Sequence, residues 1–143
     1  MHLTNGPVAP GAISELVAKG GQNHDCGAHS LFVGQVRRDQ TDGKYVRAIE
    51  YSAYEEMVIG EADKIYKSVL SEFSDVKAID IIHSKGLVKA GEISLLVMVS
   101  AGHRDHASRA CAKTVELIKE KLPIWKKEIF EDNSGQWKEN EQN

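Results

Sequence analysis

The sequence predicts an α+β fold, a mainly antiparallel sheet with two principal amphipathic helices, in a single domain over residues 1–143. Three observations carry that expectation. Candidate strands come in pairs separated by short turns, which suits antiparallel neighbours because parallel strands need a long crossover. Two long segments with apolar residues every three to four positions are inserted between those pairs. Gly20-Gly21 and Gly34 match neither G-x-G-x-x-G nor the P-loop spacing, so nucleotide-binding α/β folds lose their usual signature.

In chain order, Met1 to Pro10 holds two prolines and no periodic pattern, and reads as a loosely ordered lead-in. A short helix over Ala12 to Lys19 stops at Gly20-Gly21. Ala28 to Arg37 is a strand with Ser30, Phe32, Gly34 and Val36 on one face and Leu31, Val33, Gln35 and Arg37 on the other. Asp42-Gly43 signals a turn before a second strand, Tyr45 to Tyr51. Ser52-Ala53-Tyr54-Glu55 has the capping-box pattern and opens a helix whose stripe is Tyr54, Val58, Ala62, Ile65, Val69 and Phe73. Val76 to His83 and Glu92 to Ser100 are strands, with Gly86 and Ala90-Gly91 as turns between them. Arg104 to Lys121 is the second long helix, striped by Ala107, Cys111, Thr114, Ile118 and Leu122 and ended by Pro123. Glu131 to Asn143 is polar apart from Trp137, and residues 138–143 read as a loosely ordered tail.

A chain of 143 residues, 41% hydrophobic, can bury roughly 70% of its unfolded surface. No apolar run approaches the ~18 residues of a membrane helix, and Met1-His2-Leu3-Thr4-Asn5 lacks a signal-peptide pattern, so a cytoplasmic protein is expected. Cys26 and Cys111 have no C-x-x-C spacing and read as buried, inert thiols. The net charge of −3 hides an asymmetry. Ala101 to Glu128 holds seven bases and four acids, leaving the rest of the chain at −6. A basic zone on an acidic protein suits a small anionic ligand, whereas the acidic remainder and only 6% aromatic residues disfavour a nucleic-acid binder.

Lys119, Pro123, Trp125, Lys126, Lys127 and Glu128 fall within ten residues, and the proline redirects the backbone so that two lysines can converge. The same residues also read as a solvated basic face anchored by Trp125. Ser100-Ala101-Gly102-His103-Arg104 passes from a strand end to a helix start, where free N–H groups attract an anion. Equally, His103, Asp105 and His106 are ordinary first-turn residues. A zinc reading of His103-x-x-His106 lacks a third and fourth ligand nearby, so no metal is expected. Arg37 and Arg38 suit either surface solubility or a phosphate clamp, and His83 reads as structural.

The ordered set Phe32-Val33-Gly34-Gln35-Val36-Arg37, Glu50-Tyr51-x-x-Tyr54, His83 and Gly86, Gly91-Glu92, Ser100-Ala101-Gly102-His103-Arg104 and Pro123-Ile124-Trp125-Lys126-Lys127-Glu128 resembles the molybdopterin synthase catalytic (large) subunit family. The resemblance runs from about Gly27 to Trp137. The family's usual Ala-His-Arg reads Gly102-His103-Arg104 here, one methyl fewer. The resemblance implies the family's α/β hammerhead fold and a sulfurtransferase of molybdenum cofactor biosynthesis. It further implies that a cyclic pyranopterin monophosphate becomes the dithiolene of molybdopterin, with sulfur from the C-terminal Gly-Gly thiocarboxylate of a small ubiquitin-like partner. No metal or organic cofactor is implied. The implied assembly is a homodimer, and a heterotetramer with two small subunits. Carried over by position, Lys119 and Lys126 are catalytic. Gln35, Val36, Arg37, His103, Arg104, Lys127 and Glu128 join them in binding substrate, and the pocket is shared across the dimer so that His103 and Arg104 serve the neighbour's Lys119. The competing class is a dimeric adaptor that binds a ubiquitin-like tail or a pterin phosphate without turnover.

Overall fold

A computed structural model describes residues 1–138. Its strands are β1 (His2–Asn5), β2 (Ala28–Gln35), β3 (Gln40–Thr41), β4 (Lys44–Ala53), β5 (Val76–Lys89), β6 (Ile93–Ala101), β7 (Ile124–Phe130) and β8 (Gly135–Lys138). The helices are α1 (Gly11–Gly20), α2 (Glu55–Glu72) and α3 (Arg104–Lys121). Paired strands run in the order β2-β6-β5-β4-β7-β8, with β3 on β4 and β1 on β5. Every pairing between these strands is antiparallel except β1 with β5, so the expected α+β architecture holds.

Strand β6 anchors the molecule, because both of its faces are covered. Leu95, Val97 and Val99 join the main core with Val58, Ala62, Ile65 and Val69 of α2 and Ala107, Cys111 and Ile118 of α3. Leu96 and Met98 pack on the other face with Val8 and Leu16. Each fully buried Val, Leu or Met contributes about 1.5–3 kcal/mol over its exposed state. The alternation of strand side chains thus distributes one apolar run between two layers.

Five local expectations are corrected. The lead-in is not loose: β1 pairs in register with β5, from His2 opposite Ile82 to Asn5 opposite Lys85, and the edge backbone supplies the order that periodicity did not reveal. Gly86 is not a turn between strands. Strand β5 runs through it, pairing with β6 as far as His83 and with β4 from Gly86 onward. The φ of +91° at Gly86 is a conformation that a side chain would strain, and it lets the strand bend while changing partners. The capping box does not form, because Ser52 belongs to β4 opposite Trp125 and α2 begins after Tyr54 with no side-chain cap. Cys26 is half-buried, whereas Cys111 is buried and its thiol is pushed up by that burial. Lys138, read as the start of a loose tail, ends β8; the remainder of that tail, 139–143, lies outside the described residues. By contrast, Asp42-Gly43 forms the expected two-residue turn, with Thr41 opposite Lys44 and positive φ at both positions.

Candidate functional site

Helix α3 and strand β7 are joined by a sharp exit that the sequence encodes. Leu122 takes an extended ψ of 127° because the ring of Pro123 disfavours a helical residue before it. Lys119, in the last turn of α3, is thereby brought to the same cavity as Lys126 of β7. This cavity, about 330 Å³, is walled by the exit of β2 from Phe32 to Arg37 and by Tyr51 of β4 and His83 of β5.

Strand alternation sorts the Pro123 to Glu128 motif. Ile124, Lys126 and Glu128 line the cavity. Lys127 stands opposite Trp137 of β8, with its Nζ 5.7 Å from the indole centroid. Gln35, Val36, Arg37, Lys119, Lys126 and Glu128 therefore come together, and Lys127 does not join them. The period of two along an extended segment was the signal available for this distinction.

The cavity is dominated by cations. Lys119 and Lys126 are half-buried, and Arg37 is exposed at the mouth, where Asp39 accepts hydrogen bonds from its Nε and Nη2 at 2.5 and 3.3 Å. Glu128 is 3% exposed and lies 3.7 Å from Nζ of Lys138. Lys138 also lines the cavity, a contribution hidden from sequence reading because its segment looked like a polar tail. Tyr51 and His83 were missed as lining residues as well. Burial raises the Tyr51 phenol, while a hydrogen bond with Ser94 works in the other direction. Burial, helped by the charge of Lys126 and opposed by the Ser84 backbone, lowers the His83 imidazole to about 4.

The other end of α3 is built differently. One donor of its expected anion site is taken by the chain's own carboxylate: Asp75 Oδ2 accepts from the His103 backbone N–H at 2.9 Å and lies 3.1 and 3.2 Å from Nδ1 of His103 and His106. Burial alone would raise the Asp75 carboxyl, but the hydrogen bonds from His103 and His106 outweigh it and hold the group below its usual value. Asp75, His103 and His106 also offer donor atoms within 4.8 Å of one another, so Asp75 is the third group that the His-x-x-His spacing left unidentified. Gly102 is what admits the carboxylate, since a Cβ there would lie 2.5 Å from Asp75 Oδ1. His103 and Arg104 are exposed and do not line the cavity that holds Lys119.

An α+β chain that brings two lysines and an arginine to one cavity defines a protein with a cationic site at a helix-to-strand junction. A sequence profile described as "MoaE protein" matches residues 3–121, and the chain belongs to that family. A Dictyostelium discoideum protein named molybdopterin synthase catalytic subunit is 44% identical over 116 residues, covering 80% of this chain and 73% of that protein. The crystal structure of molybdopterin synthase from Staphylococcus aureus superposes with a TM-score of 0.83 at 31% identity, covering 96% of each chain. A Helicobacter pylori structure described as the complex of subunits 1 and 2 of molybdopterin-converting factor shares the fold, with TM-score 0.81 at 20% identity over 99% of this chain and 92% of that one. The chain spans about a third of the length of the Drosophila relatives that it matches. Among the described residues no helix is long and apolar enough to cross a membrane.

Proposed function

We propose that the chain is the catalytic subunit of a molybdopterin synthase, a cytoplasmic sulfurtransferase. It moves sulfur from the C-terminal thiocarboxylate of a small ubiquitin-like partner onto a cyclic pyranopterin monophosphate to form the dithiolene of molybdopterin. The observation that carries this reading is the meeting of Lys119, Lys126 and Arg37 at one cavity. Both ligands are anionic, and charge-assisted hydrogen bonds from half-buried cations are about twice as strong as neutral ones. In each transfer a carbon–sulfur bond to the pterin side chain forms while a carbon–oxygen bond at the same carbon breaks, its oxygen leaving as water or with the opened phosphate ester, and the carbon–sulfur bond of the carrier breaks. The carrier leaves as a carboxylate whose new oxygen comes from water. Lys119 stabilises the negative charge that develops as these bonds exchange, and Lys126 gives and takes protons. Gln35, Val36 and Glu128 shape the wall around the pterin.

His103 and Arg104 complete the phosphate end from a second copy of the chain. Arg104 and Lys119 lie fifteen residues apart on one helix, about 22 Å along its axis at 1.5 Å per residue, too far to grip one small substrate. A homodimer supplies both ends to each pocket, and two carriers make a heterotetramer. Strand β2 supports such pairing, for it ends the strand order and leaves Leu31 and Val33 39% and 43% exposed. A protein of the same fold solved as a complex of two subunits supports the carrier partner. The test is incubation with a thiocarboxylated carrier and pyranopterin phosphate. Dithiolene product supports the reading, and tight binding of both ligands without turnover assigns the chain to the adaptor class instead.

A further inference from the structure

His83 belongs to the cavity wall but has no part in the chemistry above. Its ring is 6% exposed, and its edge meets the ring of Tyr51 with centroids 5.1 Å apart. Nδ1 lies 2.7 Å from the Ser84 backbone oxygen. A carbonyl oxygen only accepts, so Nδ1 carries the proton. In the neutral ring Nε2 is then an unprotonated acceptor. Among the described residues no side-chain nitrogen or oxygen is both buried and without a partner. With Nδ1 engaged by Ser84, Nε2 is the ring nitrogen that His83 has left to offer to the cavity it lines. Burial and the neighbouring Lys126 hold the ring neutral at pH 7, with its pKa near 4.

We infer that His83 is a specificity-determining residue: its Nε2, fixed by the Ser84 contact, accepts a hydrogen bond from an N–H or O–H of the pterin ring system. The cations of the wall, Arg37, Lys119, Lys126 and Lys138, attract any small anion of suitable size. A charged phosphate alone satisfies them. A neutral acceptor with a fixed lone pair rewards a ligand that also carries a donor at the right place, and leaves an unpaired polar atom when the ligand lacks one. The back of the cavity thus reads the heterocycle while the cationic groups hold the charges. This inference takes the identity of its ligand from the proposed function.

Two variants separate the ligand contact from the structural one. His83→Asn keeps a donor at the position of Nδ1 for Ser84 and removes the atom at Nε2, whereas His83→Gln restores a polar oxygen near Nε2. In the complex with the thiocarboxylated carrier, His83→Asn is expected to raise KM for pyranopterin phosphate about tenfold with kcat changed less than threefold. His83→Gln should recover most of that loss. Carrier affinity should stay within twofold for both. A kcat loss with unchanged KM, or equal losses for the two variants, overturns the assignment. Nitrogen NMR of the wild-type imidazole reads the same claim without a variant. Nε2 should keep the signal of an unprotonated nitrogen from pH 6 to 8 and shift when pyranopterin phosphate is added. A protonated Nε2, or no shift on saturation, overturns it. Wild-type chain that neither binds nor converts the pterin refutes the proposed function itself, and the NMR tautomer then still reports on the ring.

Discussion

The two ends of α3 carry residues of the same kind and treat them in opposite ways. At the C-terminal end, Lys119 is half-buried and opens onto a walled cavity with Lys126, next to the last carbonyls of the helix, whose partial negative charge favours an ammonium. At the N-terminal end, His103 and Arg104 are exposed, and the His103 backbone N–H is already taken by Asp75. One end is a walled cavity and the other is an outward-facing pair of basic side chains on a braced support. The contrast teaches that a helix terminus becomes a binding site only when neighbouring elements wall it and its own groups remain unspent. It also gives the exposed end a purpose in the proposed function, as the part of the pocket offered to a second copy.

The largest effect expected from this contrast is at the walled end. Lys119→Ala should lower turnover about a thousandfold, on the order of 4 kcal/mol of transition-state stabilisation, with thermal stability nearly unchanged because the side chain leaves the core intact. Lys126→Ala should follow closely. Turnover within tenfold of wild type for Lys119→Ala would break the assignment of the cavity.

Next in size is a stability effect confined to that wall. The His83 imidazole titrates near 4 when folded and near 6.5 when unfolded, so the unfolded chain takes up a proton first as pH falls. Stability should therefore be complete above about pH 6.5 and drop by on the order of 3 kcal/mol as pH falls to 4. His83→Asn should flatten this slope in denaturant unfolding, and an unchanged slope would contradict it. Asp75, held below its ordinary 3.8, adds its own loss only at lower pH, as its carboxylate takes up a proton.

Arg37→Ala and Arg104→Ala should each weaken binding of the phosphate-bearing substrate by about 1.5–3 kcal/mol, measured by calorimetry, with carrier docking nearly normal. Loss of carrier docking with substrate affinity kept would reverse the two ligand assignments. The smallest effects belong to the lysines that face away from the cavity. Lys127→Ala and Lys121→Ala should change turnover less than threefold. Losses equal to that of Lys126→Ala would show a diffuse basic face rather than a walled site.

Sequence periodicity was enough for the parts whose side chains obey a simple repeat. Val58, Ala62, Ile65 and Val69 on α2, and Ala107, Cys111 and Ile118 on α3, are buried as their spacing requires. The helix-ending Pro123 likewise revealed where Lys119 and Lys126 meet. What escaped depends on backbone geometry or on long-range partners. The pairing of β1 leaves no side-chain signature, and Gly86 reads as a turn until its place in a bent strand is seen. Asp75, 28 residues before His103, gives no local hint that it braces the residue that leads into α3. Treating Lys126, Lys127 and Glu128 as one group neglected the alternation that sends Lys127 to Trp137.

The measurement that bears most directly on the two-ended account is complementation between two impaired chains, assayed at a substrate concentration low enough that Arg104→Ala alone turns over little. If the exposed end of one copy completes the walled end of another, mixing Lys119→Ala with Arg104→Ala chains creates heterodimers with one doubly defective pocket and one intact pocket. Random exchange puts about half of all dimers in the mixed form, so up to roughly a quarter of all pockets become wild type. The account predicts recovery of activity approaching that fraction as exchange proceeds. No recovery after exchange has been demonstrated by mass would contradict it, and would mean that each pocket is built within a single chain.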